Sequence, residues 1–152
     1  MNPLLLDRAR ELGAPESGLA VVATLRAGGS AQASVVNAGV IEHPLTGEAA
    51  VAFVARGGTR KLANLQVRPR ATVVFRSGWE WVAVEGDTDL AGPDDPRGGM
   101  ETFDVPRLIR DIYAAAVGGV QDDWAELDQV VAAERHTAVL VRPARVYSNA
   151  VV

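Results

Sequence analysis

Cysteine is absent from this chain. Its absence excludes disulfides, thiol nucleophiles and cysteine-ligated metals, and it suits a reducing compartment, so a cytoplasmic protein is expected. Lysine is nearly absent too: of 15 basic residues only Lys61 is lysine, and the rest are arginine. A lone lysine among arginines is either incidental or marks a place that needs a compact ammonium rather than a planar guanidinium. The net charge is −4, so no overall basic field draws the chain to nucleic acid or to an anionic membrane. Apolar runs are short: none can span a bilayer, and Leu4-Leu5-Leu6 is too brief for a signal peptide. There is no P-loop, no dinucleotide-binding glycine fingerprint, no HExxH and no GxSxG. The two histidines, His43 beside a turn and His136 at a strand start, read as surface or strand-end residues. The acidic pairs Asp94-Asp95 and Asp122-Asp123 read as a solvated loop and a helix start rather than a cation site. No metal is expected.

What is present is an ordinary globular balance, 48% hydrophobic and 22% charged over 152 residues, the size of one domain. Helical spacing over Pro3 to Leu12 ends at Gly13 and Pro15, giving an amino-terminal helix over 1–13. Strands are expected over Leu19 to Leu25, Gln32 to Glu42 and Ala49 to Ala55, joined by short turns that favour antiparallel pairing. A helix follows at Arg60 to Val67, with Thr59 as its N-cap and Pro69 beyond its end. Ala71 to Arg76 and Glu80 to Leu90 add two strands. Helices over Val105 to Val117 and Asp123 to Arg135 form an insertion, 104–135, before a last strand from His136 to Tyr147. Pro143 in that strand predicts an edge or a bulge. Six strands with few helices between them predict a mainly β fold, a closed or split six-stranded antiparallel barrel. A barrel this small fills its interior with side chains, so a sizeable ligand must lie outside it or between subunits.

Three features carry possible chemistry. Arg56-Gly57-Gly58-Thr59-Arg60-Lys61 joins two glycines to a helix start and nearby cations, an arrangement suited to phosphate, although a basic solvent-facing turn has the same composition. Gln32, Ser34 and Val36 share one face of a strand, with Val35 and Asn37 on the other. Such a face either binds a flat heterocycle or faces water. Trp79 and Trp81 are expected on one strand face, to flank a ring or to pack a core.

Taken in order, Ala31-Gln32-Ala33-Ser34-Val35-Val36-Asn37, Arg60-Lys61-Leu62-Ala63-Asn64-Leu65, Arg68-Pro69-Arg70-Ala71 and Gly78-Trp79-Glu80-Trp81 resemble the pyridoxamine 5′-phosphate oxidase-like split β-barrel proteins. The likeness is greatest to the B-group branch that uses the deazaflavin coenzyme F420. The resemblance implies a homodimer with the cofactor in the groove between two barrels. It implies Lys61 and Asn64 at the cofactor phosphate, Gln32 and Ser34 beside the ring and its chain, Val36 and Asn37 meeting the heterocycle through their backbone, and Trp79 at the edge of the site. Many relatives carry arginine where this chain has Thr59, and Arg60 or Arg56 stands in for that contact. The implied activity is hydride transfer from reduced F420 to a small organic acceptor: unsaturated, quinone-like or tetrapyrrole. FMN is the alternative cofactor, and a non-catalytic cofactor- or tetrapyrrole-binding module is the alternative role.

Overall fold

The computed structural model describes residues 3–93, 104–118 and 124–149. Strands β1 (Leu19–Leu25), β2 (Ala31–Glu42), β3 (Ala49–Ala55), β4 (Arg70–Ser77), β5 (Glu80–Ala91) and β6 (Thr137–Ser148) close an antiparallel barrel in the order β1-β2-β3-β6-β5-β4. This is the expected six-stranded antiparallel barrel. Closure comes from β1 pairing with β4, Ala20 opposite Phe75 and Ala23 opposite Thr72. The last strand enters between β3 and β5.

Alternation along each strand decides which side chains fill the barrel. In β1, Ala20, Val22 and Thr24 are buried while Leu19, Val21 and Leu25 are exposed. Ala20 and Val22 join Val36, Phe53, Val73, Phe75, Val84 and Val139 in one core. The barrel ends are stoppered by helices: α1 (Pro3–Gly13) contributes Leu6, Ala9 and Leu12 to that core, and α2 (Arg60–Val67) contributes Leu62 and Leu65. The interior is therefore full, as a small barrel requires. Pro143 sits at a bulge rather than an edge: the β5–β6 register shifts at Glu85/Gly86, opposite Arg145 and Pro143. Only glycine fits position 86, because a Cβ there would lie 1.8 Å from the Arg142 carbonyl oxygen.

Helices α3 (Val105–Val117) and α4 (Trp124–Ala133) lie outside the barrel. Asp104 caps α3 by accepting from the Arg107 amide at 3.2 Å, and Gly118 at φ 75° ends it. Leu108, Ile109 and Ile112 of α3 pack with Val131 of α4 onto the outward side chains Ala52, Ala138 and Leu140, a second core. The β3–β6 wall is thus covered. Helix α3 also lies on the second half of β2, where a Cβ at Gly39 would meet Ala115 at 2.8 Å. Among the described residues Val21 of β1 and Val35 of the first half of β2 stay exposed. No helix among the described residues is long and apolar enough to cross a membrane.

Several expectations are corrected. Thr59 occupies the N-cap position of α2 but does not cap it; its hydroxyl donates instead to the Arg56 carbonyl at 2.7 Å. Trp79 lies in the tight turn between β4 and β5, not on a strand face with Trp81. Trp81 packs edge-to-face on Tyr147, their centroids 6.0 Å apart. Both histidines are buried. His43 Nδ1 accepts from the Leu45 amide at 3.1 Å, so its proton is on Nε2, which donates to Asp89 at 2.8 Å. Asp94-Asp95 and Asp122-Asp123 lie outside the described residues.

Candidate functional site

Where β3 ends, the chain turns through Arg56-Gly57-Gly58-Thr59 into α2. The two glycines serve different ends. Gly57 allows close packing: its amide donates to the Glu134 carbonyl at 3.0 Å, and a Cβ would meet Arg135 Cβ at 2.8 Å. Gly58 is in the left-handed region at φ 79°, with nothing within 4 Å of where its Cβ would be. The turn is fastened to the end of α4 on one side and open on the other. With the Thr59 hydroxyl turned back to Arg56, no side chain caps the start of α2.

Beside this turn lies a pocket of about 300 Å³. Val35, Val36, Asn37 and Val54 come from β2 and β3, Arg56, Thr59 and Lys61 from the turn and α2, and Tyr113, Glu134 and His136 from the helical insertion and its junction with β6. That volume is at the low end for small-molecule sites, so a cofactor-sized ligand would extend beyond it. Burial holds the Lys61 ammonium below the usual lysine range, and the charge of Arg56 lowers it further. Among the described residues neither cation is paired with a carboxylate, although Lys61 donates to the Ser34 hydroxyl at 3.2 Å. In the same pocket the His136 imidazole meets Glu134 at 2.8 Å.

The sequence-predicted residues separate into three groups. Val36, Asn37, Thr59 and Lys61 line the pocket, and Ser34 reaches it through Lys61. Gln32 and Asn64 lie on the inward side: Asn64, 4% exposed, donates to the Thr24 hydroxyl at 3.1 Å, and Thr24 donates to Gln32 at 3.4 Å. This network ties α2 to β1 and β2, so the Gln32–Ser34–Val36 face turns toward the barrel and not to water. Arg60 is exposed on the first turn of α2. Trp79 is 94% exposed and far from the others. It follows the end of β4 remote from α2, and eight strand residues span about 25 Å.

Sequence reasoning missed Tyr113, Glu134, His136, Val54 and Thr24. Thr24 had a signal, being a polar residue at an inward position of an alternating strand. Tyr113 and Glu134 had none, because their separation from residues 35–61 carries no local period. A larger groove of about 650 Å³ lies between α3 and α4. Its Arg110 is already engaged, paired with Asp128 and 5.7 Å from the Trp124 ring centre.

A family model described as pyridoxamine 5′-phosphate oxidase matches residues 5–149. No curated protein sequence matches the chain. Among solved structures, a protein of unknown function from Agrobacterium tumefaciens is 20% identical with a TM-score of 0.65; the match covers 95% of this chain and 55% of that one, so this chain spans about half its length. A pyridoxamine 5′-phosphate oxidase-related, FMN-binding protein from Nostoc punctiforme is 16% identical, with a TM-score of 0.59 and coverage of 96% and 80%. The heme storage protein of Vibrio cholerae is 10% identical, with a TM-score of 0.59 and coverage of 93% and 92%. At such identities the likeness is one of fold.

Proposed function

The chain belongs to the pyridoxamine 5′-phosphate oxidase family, and from that premise we propose that it is a reductase using a phosphate-bearing flavin-type cofactor, coenzyme F420, on a small organic acceptor. The observation that carries this is the cation pair Arg56 and Lys61, which share a pocket rim without a carboxylate between them. Two like charges held together unpaired are a cost that an anion removes. The uncapped start of α2 adds free amides and the positive end of a short dipole. These residues fit a phosphate. Ser34 orients Lys61, and the Asn64–Thr24–Gln32 network holds α2 in place. The strand backbone at Val36 and Asn37 then borders the heterocycle, and Val35 and Val54 exclude water from it. When bound, the reduced cofactor supplies a hydride equivalent to the acceptor; the chain supplies orientation and a dry wall.

The deazaflavin is favoured over FMN because its longer anionic tail has Arg60, exposed on the first turn of α2, to meet beyond the first phosphate. Calorimetric titration with both cofactors tests this. F420 is expected to bind more tightly, preference for FMN would exchange the two, and binding of neither would end the reading. A heme store draws no support from the histidines. His43 has both nitrogens engaged, and His136 has one nitrogen on Glu134 and the other buried.

The same proposal requires a homodimer. Val35, Val21, Val74, Ala83 and Tyr147 are successive cross-strand neighbours running from β2 to β6. Val35 is 63% exposed and Val21 43%. Ala83 is covered, but the exposed apolar members of the row, Val35, Val21 and Tyr147, suit a two-fold interface. A two-fold axis across the strands reverses their direction, and so carries Trp79 of a second copy toward the α2 end of the first. Val21→Arg is expected to convert a micromolar dimer to monomer in sedimentation and to weaken cofactor binding with it. A parent protein that is monomeric while still binding cofactor tightly would refute the interface.

A further inference from the structure

Part of the pocket that holds the cations is built by the helical insertion, and one of its groups is uncommitted. Glu134 accepts from His136 Nε2, and the remaining nitrogen of His136 is buried. Tyr113 packs its ring against the second core, which fixes where its oxygen lies. Tyr113 lines the pocket, and its hydroxyl makes no hydrogen bond to any described residue. Tyr113 of α3 shares the pocket with Arg56, Lys61 and the β2 residues Val35 to Asn37, along which a ligand anchored by its phosphate would run. We propose that the Tyr113 hydroxyl is the pocket's hydrogen-bond donor to the head of the cofactor, the ring end remote from its phosphate. The acceptor is an electron-rich carbonyl oxygen or ring nitrogen.

This rests on the phosphate reading above. The local charge agrees with a donor role. Burial first, and then the carboxylate of Glu134, push the Tyr113 phenol above its usual range, so its proton is retained at neutral and mildly alkaline pH. Glu134, one of whose oxygens accepts from His136, thereby acts as a positioning residue that keeps the phenol protonated.

The test uses FMN and F420 as probes on the full chain. Tyr113→Phe should bind the preferred cofactor roughly five- to tenfold more weakly, the loss of one neutral hydrogen bond, with an unchanged melting temperature. A second readout covers the case in which that variant is unstable. The chain has two tyrosines, so in Tyr147→Phe the tyrosinate absorbance reports Tyr113 alone, and saturating cofactor should move its appearance to higher pH. An unmoved titration overturns the proposal. So does a stable Tyr113→Phe that binds like the parent; if Lys61→Ala still weakens binding, the phosphate site survives and the donor alone is lost. If neither cofactor binds the parent, both fall together.

Discussion

Lys61→Ala is expected to raise the cofactor's dissociation constant roughly ten- to hundredfold, the worth of one charge-assisted hydrogen bond to phosphate, about 1.5–3 kcal/mol. Lys61→Arg should recover only part of this, because a planar fork replaces a point charge whose place is set by the Ser34 hydroxyl. Fold stability should change by less than about 0.5 kcal/mol, since Lys61 is only half-buried and Ser34 can turn to water. The pH dependence gives an independent check. Burial and Arg56 already hold the Lys61 ammonium below the ordinary lysine range, so in the free protein it loses its proton earlier on the alkaline side. Phosphate binds the protonated form. Affinity should therefore fall as pH rises through that lowered range, and binding there should take up protons. Calorimetry in buffers of different ionisation enthalpy measures this directly. The alkaline fall should be absent from Lys61→Ala. A variant curve that overlays the parent's at every pH would remove the phosphate assignment.

The second large effect concerns stability. Asp89→Ala should destabilise the barrel by about 3 kcal/mol or more, because Asp89 is a buried carboxylate with two partners. It accepts from His43 Nε2 at 2.8 Å and forms an ion pair with Arg142 Nε at 3.2 Å. Without it, the His43 N–H is left in a site only 1% exposed with nothing to accept it. For a chain of this length the loss corresponds to a melting temperature lower by roughly 6–12 °C. Asp89→Asn should cost less, since its amide oxygen can still accept from His43. Neither residue lines the pocket, so cofactor affinity measured well below the melting temperature should stay within about twofold of the parent. Equal melting temperatures for the parent and Asp89→Ala would show that the His43–Asp89 pair contributes nothing net to the fold.

Part of the molecule was legible from local pattern. Strands β1 and β3 and helices α2 and α3 begin and end at the residues their periodicity marks, because alternation and helical spacing are properties of neighbouring residues. The barrel followed from six strands joined by short turns, and Gly58 and Lys61 from the chemistry of a glycine turn before a helix. Pairings between distant segments were not legible. Alternation shows that Gln32, Ser34 and Val36 share a face. Which side that face takes depends on α2 closing the barrel end above it. Trp79 and Trp81 keep a spacing of two, yet a tight turn separates their roles. A histidine beside a turn reads as exposed until a carboxylate 46 residues away is brought against it.

The sequence by itself determined the elements, their antiparallel joining and the cationic turn at Arg56–Lys61. The tertiary structure decided that β6 enters between β3 and β5, that α3 and α4 cover the β3–β6 wall while Val21 and Val35 stay exposed, and that Tyr113, Glu134 and His136 line one pocket with Lys61. The physical reason is range. Backbone propensity and side-chain periodicity act over a few residues, whereas barrel closure and pocket assembly depend on packing among segments that no local period relates.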